Sequence, residues 1–579
     1  MKIGAVGVDY SPRVKASKVH MNSLESPAIH SNSTVISFKG GNKNQVMHVV
    51  AEMPPYFKKG GVATVANDYK TLTSDANTVM VMPYYNGKIT YDKSGEMVTA
   101  IDVLRVPSNL PEGHPLKGQE GKPFFTNQDL DRVSIEEILK NPKKYVMLEE
   151  VESKTMQWGL EDAASIKLFK VPNTNHFMVY TEATASMKAP YAGGGYATSK
   201  HPMAASWGGD PYAKFDKATV EFMETISHKM PNFDPGTVVC SDSHAAYVTH
   251  WMAVKNANGE EFFQGKKPTQ VGHNLGGGYI GETSPRNMIV NLGATKEQIE
   301  KILSSKEYFN ALKDGKEDEF FKKFLTPILD GNKGVNAMEI PIYYAKKGFL
   351  PMFTTVSEGY HKTLLENENI APALMRDLKI LDEMGLFKGL TNPLNDPNVS
   401  AFKPQGLPGF KEETEVRMLN GSKKVVKAFE YFDEAKAKDL KYVREVKKRN
   451  KINLFDRLSG LYDPSDTKAY SKIIAGKDDA KVEVFGHIDK SYIEKLNKGE
   501  DVKLMVSWGR GDFQKAMDTV IDSFEKYINK TGDKNAVLVM GGPLDPATPD
   551  YDIIMKKIQK LNNDAKFRGR FVYLKGFAP

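Results

Sequence analysis

The sequence contains a single cysteine, Cys240, among 579 residues, which excludes internal disulfides and a zinc site built from several cysteines. It has no run of about 18 apolar residues, so no membrane span is predicted. No apolar signal segment follows Met1, and together with the single cysteine this favours the cytoplasm. A strong charge excess is also lacking, since 79 Lys and Arg face 72 Asp and Glu. That balance argues against a nucleic-acid-binding protein.

The composition, with 40% hydrophobic and 26% charged residues, is typical of a folded globular protein. Short apolar stretches recur, and each is followed by a polar loop and a helical pattern. These predicted strands cover residues 46–51, 236–240, 269–273 and 353–357. Alternating strands and helices predict a doubly wound, mainly parallel α/β sheet. Such sheets bind ligands beyond the carboxyl ends of their strands, where these polar loops fall.

Composition changes along the chain predict its domains. Residues 1–45 form a loose leader, and 46–391 form a first Rossmann-like domain with insertions. Turn-forming residues then indicate a linker, so that 392–579 contains this linker and a partial second Rossmann-like domain. The charged segment 411–452 is predicted to be an exposed helix.

The first candidate binding loop follows the first predicted strand and contains Lys58, Gly60 and Gly61. Glycines at this position allow backbone N–H groups to approach an anion at a helix N-terminus, and a lysine adds positive charge. A tight turn with a surface lysine explains the same pattern.

A second cationic loop contains Arg510 and Lys515, between a predicted strand and a helix. Arginine can bind two phosphate oxygens, and both the lysine and the helix dipole attract an anion. A solvated cationic turn is the alternative.

Two further loops contain histidines at predicted strand ends. His273 precedes a run of glycines that includes Gly276 and Gly277, and Asp242 lies two residues before His244. A core histidine and a loop-capping aspartate are the structural alternatives. Motifs of serine hydrolases, metalloproteases and P-loop proteins do not occur in a convincing context.

The order and spacing of these loops resemble the bacterial glycogen synthase and starch synthase family. The resemblance runs in order from about residue 46 to 579, with gaps. The stretches that carry it are Glu52-Met53-Pro54-Pro55, Lys58-Lys59-Gly60-Gly61, Asp242-Ser243-His244-Ala245, His273-Asn274-Leu275, Thr355-Val356-Ser357 and Arg510 to Lys515.

The resemblance implies a GT-B fold of two facing Rossmann-like domains. It also implies transfer of glucose, with retention, from ADP-glucose or UDP-glucose to the non-reducing end of an α-1,4-glucan. Neither a cofactor nor a metal is expected, nor a nucleic-acid or membrane partner; homo-oligomerisation stays open. The implied catalytic residues are Asp242, His273, Arg510 and Lys515. The implied substrate-binding residues are Lys58, Gly60, Gly61, Asn274, Gly276 and Gly277.

The sequence also departs from the family pattern. Thr64, Ser243 and Pro393 replace an aspartate, a tryptophan and a glycine of the family motifs. The family's Glu-Pro-Cys-Gly loop is not found, so the second domain is expected to be truncated at its carboxyl end. Two alternatives follow. One is a non-catalytic relative that binds glucan or nucleotide. The other is a different GT-B transferase, one that makes sucrose or a surface glycan.

Overall fold

The computed structural model divides the chain into two compact units, residues 1–395 and 396–579. The described residues are 42–57, 61–63, 65–66, 77–86, 90–91, 97–99, 102–191, 207–329, 334–392, 414–417, 422–436, 438–459, 483–511, 515–544, 546 and 550–576. Each unit is an α/β structure.

The first unit is built on a nine-stranded sheet, counted over the described residues, in the order β13-β12-β11-β10-β1-β2-β9-β8-β7. Neighbouring strands from β13 to β9 are parallel, and β9-β8-β7 are antiparallel. The predicted parallel α/β architecture is therefore confirmed. The strands are β1 (Asn42–Val49), β2 (Thr78–Pro83), β3 (Thr90–Tyr91), β4 (Met97–Thr99), β5 (Phe124–Phe125), β6 (Val146–Met147), β7 (Glu149–Trp158), β8 (Glu161–Lys170), β9 (His176–Thr181), β10 (Pro235–Ser241), β11 (Lys267–Gly272), β12 (Phe353–Thr355) and β13 (Phe387–Gly389).

Helices connect these strands and bury their apolar sides in a common core. The helix α3 shows how the sequence fixes a start: Pro211 is its first residue, and the Asp210 carboxylate accepts a hydrogen bond from the Tyr212 N–H at 2.8 Å. The helices are α1 (Ile135–Leu139), α2 (Glu182–Ala185), α3 (Pro211–His228), α4 (Ala246–Ala257), α5 (Pro285–Asn291), α6 (Lys296–Leu303), α7 (Lys306–Lys313), α8 (Glu317–Leu329), α9 (Glu339–Lys346), α10 (Glu358–Glu366) and α11 (Met375–Glu383).

The central strand β1 differs from its predicted span of 46–51, because it begins at Asn42 and ends at Val49. Its polar beginning is held by the buried Gln45. The Gln45 amide donates to the Asn232 carbonyl at 2.7 Å and accepts from the Asp234 N–H at 2.7 Å. These two bonds explain why a polar segment, which hydrophobicity assigns to the leader, belongs to the sheet.

The second unit contains a four-stranded sheet in the order β16-β19-β18-β17. The strands β17, β18 and β19 are parallel, and β16 is antiparallel to β19. The strands are β14 (Thr414–Arg417), β15 (Lys423–Val426), β16 (Glu483–Ile488), β17 (Lys503–Trp508), β18 (Ala536–Gly542) and β19 (Arg570–Lys575). The helices are α12 (Leu440–Arg457), α13 (Ser491–Asn497), α14 (Met517–Thr531) and α15 (Tyr551–Asn563). The β17-α14-β18-α15-β19 order is the Rossmann-like pattern that the sequence predicts.

The prediction of one exposed helix over 411–452 is wrong. Residues 414–417 and 423–426 pair as the antiparallel hairpin β14–β15, and a helix begins only at Leu440. A Glu415–Lys423 ion pair joins the two strands, and Lys424 pairs with Asp456 of α12. Tertiary and cross-strand pairing thus overrides the helical preference of a lysine- and glutamate-rich segment.

The core of the first unit lies around its large sheet and contains fully buried aromatic side chains such as Tyr84, Phe169 and Trp207. Cys240 is also fully buried, in β10, and burial raises the pKa of its thiol well above the usual value. Within the described ranges, no helix has the length and apolar character required to span a membrane.

Candidate active site

The candidate site lies at the carboxyl ends of the parallel strands in the first unit. Glu52 follows β1, Asp242 follows β10, His273 follows β11 and Ser357 follows β12. The chain passes from β1 to β2 on one side and later returns to β10 on the other side. Reversal of the strand order around β1 creates the crevice in which doubly wound sheets bind ligands.

Asp242 joins the ends of β10 and β11. Its carboxylate Oδ1 accepts a 2.7 Å hydrogen bond from the His273 N–H, and Oδ2 lies 3.4 Å from His273 Nδ1. The Asp242 N–H donates to the Val271 carbonyl at 2.8 Å, and its own carbonyl accepts from the Gln270 amide at 2.9 Å. The structure therefore brings together the two first-unit residues that the sequence analysis assigns to catalysis.

The backbone of Asp242 lies in the left-handed region, with φ 57°. At its ψ of −171° this positive-φ conformation is adopted almost only by glycine. Such strained positions concentrate at functional sites, where the surrounding contacts impose them. Here the contacts to residues 270, 271 and 273 hold the strained residue in place.

The electrostatics of the site keep the Asp242 carboxylate charged. Burial raises its pKa, but interactions with His273, among them the hydrogen bond from the His273 N–H, outweigh burial and lower the pKa below the usual value. Both ring nitrogens of His273 are buried, and neither has a hydrogen-bond partner of good geometry among the described residues. A buried imidazole in this state is suited to contact a bound ligand.

Aromatic side chains surround His244 in the same loop. Its ring lies 4.7 Å from Tyr191 and 4.4 Å from Tyr212, both edge to face. Burial lowers the pKa of His244 to about 4, so its imidazole is neutral at physiological pH. The Tyr191 hydroxyl donates to the buried Glu52 carboxylate at 3.0 Å. Sequence reasoning missed both tyrosines, and the one available signal is the Pro190-Tyr191 pair ahead of a glycine run.

The loop after His273 is ordered by its own side chains. Asn274 Oδ1 accepts from the Gly276 N–H at 2.9 Å, which closes a turn. The Tyr360 hydroxyl of α10 donates to Asn274 Oδ1 at 3.5 Å. Gly276 is closely surrounded, since a Cβ there would lie 3.2 Å from Asn274 Oδ1, whereas the Cβ position of Gly277 is open. Asn274 therefore shapes the loop, and a ligand contact by it or by the two glycines stays a prediction.

The lysine loop is described in part only. Lys58 and Gly60 lie outside the described residues. Gly61 begins the helical residues 61–63 and is exposed, and a Cβ placed on it would meet no atom within 4 Å. Space alone therefore does not require glycine at 61, and the predicted donor contacts of this loop stay predictions.

The second unit brings Arg510 and Lys515 to one strand end. Both are exposed and follow β17, and Lys515 Cγ would lie 3.5 Å from a Cβ placed on Gly509. The helix α14 begins two residues after Lys515, at Met517. The two cations therefore lie near the N-terminus of a 15-residue helix, where an anion is favoured.

The fold and these loops agree with a comparison to protein families. Residues 45–379, more than half of the chain, match the model of the family described as the starch synthase catalytic domain. The protein is therefore a glycosyltransferase of the hexosyltransferase class. More particularly, the chain belongs to the starch synthase catalytic domain family, which confirms the resemblance predicted from its loops.

Solved structures of similar proteins span most of the chain at low identity. The catalytic domain of starch synthase IV from Arabidopsis thaliana, bound to ADP and acarbose, is 13% identical with a TM-score of 0.48, covering 92% of this chain and 74% of that one. The structure of trehalose-6-phosphate from E. coli bound with UDP-2-fluoro glucose is 9% identical with a TM-score of 0.31, covering 92% of this chain and 74% of that one. The α,α-trehalose 6-phosphate synthase of Burkholderia multivorans is 9% identical with a TM-score of 0.29 over 93% and 73%. Among curated proteins, no match is found.

Proposed function

We propose that this protein transfers glucose from a nucleotide-sugar, ADP-glucose or UDP-glucose, to the non-reducing end of an α-1,4-glucan, with retention of the anomeric configuration. The observation that carries the proposal is the Asp242–His273 pair at the carboxyl edge of the sheet, inside the region that matches the family. We place the reaction in the cytoplasm, because a chain with one buried thiol suits a reducing compartment.

In this mechanism the anomeric C–O bond of the donor breaks through an oxocarbenium-like state. Positive charge develops on the sugar, and the ionised Asp242 carboxylate, which orients His273, supplies a fixed negative charge in a buried site. The imidazole of His273 would donate to or accept from the sugar hydroxyl groups through its ring nitrogens. Neither step requires a protein nucleophile or a cofactor.

The leaving diphosphate gains negative charge as the bond breaks. Arg510, Lys515 and Lys58 would stabilise this charge together with backbone N–H groups near Gly60 and Gly61. Preorganised cationic donors of this kind usually make the largest contribution to catalysis, about 100-fold or more for each one. Retention places the incoming glucan hydroxyl on the face that the diphosphate leaves, so the phosphate oxygen can accept its proton.

Incorporation of labelled glucose into glycogen by the full-length chain tests the proposal. We expect incorporation from one of the two donors, and a product linkage that α-specific glucanases cleave. The Asp242→Asn variant is expected to lose about 100-fold or more in turnover. Its matched control is Asp382→Asn, because Asp382 also pairs with a histidine, His361 at 2.8 Å, on helices outside the strand ends.

The proposed role of the second unit in holding the diphosphate is tested by Arg510→Ala and Lys515→Ala. Each substitution is expected to reduce turnover by about 100-fold. Lys556→Ala removes an exposed lysine from α15 and serves as the control. Wild-type turnover in Arg510→Ala contradicts the assigned role. Glucan binding without transfer favours the non-catalytic alternative, and transfer to a different acceptor favours another sugar transferase.

A further inference from the structure

An exposed aromatic side chain lies beside the Asp242–His273 site and has no role in the mechanism above. Tyr279 follows the glycine run after His273, and the residue is 42% exposed. Its carbonyl accepts a 3.0 Å hydrogen bond from the Ser243 hydroxyl. Ser243 is the residue between Asp242 and His244, so Tyr279 is attached directly to the loop that carries the catalytic carboxylate.

The backbone next to Tyr279 is held by the segment that begins α9. The Met338 N–H donates to the Ile280 carbonyl at 3.3 Å, and the Ala337 N–H donates to the Gly281 carbonyl at 2.9 Å. The Ile280 side chain is buried, with 2% exposure. A ring on a fixed backbone loses less conformational entropy when it binds a ligand than a ring on a flexible loop.

Close packing couples this segment to the site. Gly281 has φ +68°, and a Cβ there would lie 2.9 Å from Ser243 Cβ and 2.8 Å from Ala337 Cβ. Only glycine fits this gap in this conformation. The distance between the Tyr279 backbone and the Asp242 loop is therefore fixed by packing as well as by the Ser243 hydrogen bond.

The surroundings of Tyr279 suit an extended, uncharged ligand. Gly277 and Gly278 are exposed, and a Cβ at either would meet no atom within 4 Å. The chain beside the ring therefore has open space at these two positions. The Glu282 carboxylate, which accepts a 3.2 Å hydrogen bond from the Gly278 N–H, adds negative charge that disfavours an anionic ligand. A tyrosine ring offers a flat apolar face, which matches the C–H face of a pyranose.

We propose that Tyr279 is an acceptor-binding residue, whose ring stacks on a glucose unit of the α-glucan where the glucan leaves the site. This inference rests on the proposed function and adds to it the residue that selects a polymeric acceptor. A glucan is neutral and longer than the site, so its outer units need an apolar platform at the rim. A nucleotide-sugar is compact and anionic and gains little from such a ring.

Two measurements on the full-length chain test this assignment. Native electrophoresis in gels containing glycogen measures glucan binding without any need for turnover, and steady-state assays measure KM for glycogen and for the donor. Tyr279→Ala is compared with Tyr279→Phe and Tyr279→Trp, which keep an aromatic face. Phe309→Ala is the matched control, because Phe309 is a 58% exposed ring on α7.

We expect Tyr279→Ala to weaken retardation by glycogen and to raise KM for glycogen by about tenfold, with the donor KM changed less than about twofold. The aromatic variants and Phe309→Ala should stay within about twofold of the wild type. Unchanged glycogen binding in Tyr279→Ala, or a wild-type chain that glycogen does not retard, overturns the assignment. Retardation that depends on Tyr279 in a chain that transfers no glucose upholds it and refutes the proposed function alone.

Discussion

At the scale of single residues, Asp242 combines three properties that a sequence shows only in part. Its position after an apolar strand predicts that it faces the ligand edge of the sheet. Its left-handed backbone and its bond to the His273 N–H appear only in the folded chain. Together they make this aspartate the connection between two strand ends, so that a shift of β10 against β11 would stretch or break the contact between the carboxylate and His273.

Gln45 provides a residue-scale prediction about stability. Its buried amide makes two backbone hydrogen bonds that start β1. Gln45→Leu leaves the Asn232 carbonyl and the Asp234 N–H without this partner, which is expected to cost about 2 kcal/mol. Urea unfolding followed by circular dichroism measures the loss.

The control for this prediction is Gln264→Leu. Gln264 also donates through its amide, to the Asn256 carbonyl at 2.9 Å, but this bond is exposed. Water can replace it, so the variant should lose less than about 0.5 kcal/mol. Equal losses in the two variants would show that burial of the Gln45 amide is not what holds the start of β1.

How much of the site could be predicted from the sequence depends on the signal each residue carries. Asp242 and His273 follow apolar strands, so their edge of the sheet was predictable. Tyr191 and Tyr212 reach His244 from a segment and a helix that have no such pattern, and only the folded chain brings them together. The start of β1 could not be predicted either. Hydrophobicity places it at residue 46, but two hydrogen bonds of the buried Gln45 side chain hold the preceding polar residues in the strand.

At the scale of elements, two glycines determine how β17 and β18 end together. Gly542 has φ +140°, and a Cβ on it would lie 1.7 Å from the Gly509 carbonyl oxygen. The Gly542 carbonyl accepts a 2.9 Å hydrogen bond from the buried Tyr573 hydroxyl, so the strand end cannot move away freely. The turn that carries Arg510 therefore requires a glycine, which has no side chain, at position 542.

This close approach predicts the effect of a single methyl group. Gly542→Ala should destabilise the second unit by roughly 3 kcal/mol or more, because the strained φ and the clash with Gly509 act together. Chemical denaturation of the full-length chain measures the loss. A phosphate-analogue titration should show a matching loss of anion affinity at Arg510.

Gly532→Ala is the informative comparison for that substitution. Gly532 ends α14 with φ +64°, and a Cβ there would meet no atom within 4 Å. Its replacement tests the cost of a left-handed alanine alone, about 1 kcal/mol. If Gly542→Ala costs no more than Gly532→Ala, then the backbone of the Arg510 turn can yield and the close approach has no structural importance.

The elements also show where sequence patterns are sufficient. An apolar stripe at helical spacing predicts α14, and its members are buried except the half-buried Val520: Met517, Val520, Ile521, Phe524 and Ile528. The hairpin β14–β15 could not be predicted, because its lysines and glutamates favour a helix until pairing across the strands and with α12 is counted. Apolar periodicity therefore predicts which face of an element is buried. The structure of a charged segment depends instead on the residues it pairs with in the folded chain.

At the scale of the whole molecule, buried histidines make the first unit sensitive to acid. Burial lowers the pKa of His48, His244 and His250 from 6.5 to about 4. Between these values the unfolded chain binds protons that the folded chain excludes, so each histidine removes stability as the pH falls through this window. Buried Asp210 and Asp216, whose pKa values are raised by burial, act in the opposite direction.

His250→Gln isolates one of these contributions. The His250 ring bonds to the Tyr344 hydroxyl and the Leu292 carbonyl, so the variant is expected to be less stable at pH 7. Between pH 7 and pH 5, however, it should lose about 2 kcal/mol less stability than the wild type, because glutamine does not titrate. Denaturation curves of both proteins at pH 7 and pH 5 give the two losses of unfolding free energy, and their difference tests the prediction.

The matching control removes a histidine that is exposed. His228→Gln, at the end of α3, should change the pH dependence much less than His250→Gln does, because water and not protein surrounds this side chain. If the free energy of unfolding falls equally in His250→Gln and in the wild type between pH 7 and pH 5, then the folded wild-type chain accepts a proton on the His250 ring.

The buried position of the sole cysteine has a practical consequence for following the two units in solution. Because Cys240 is protonated and inaccessible inside β10, maleimide reagents should leave the native chain unlabelled. A pair of cysteines engineered at surface positions, one in each unit, can then carry a donor and an acceptor dye without background. Fluorescence transfer between them would report directly whether nucleotide-sugar and glycogen draw the units together.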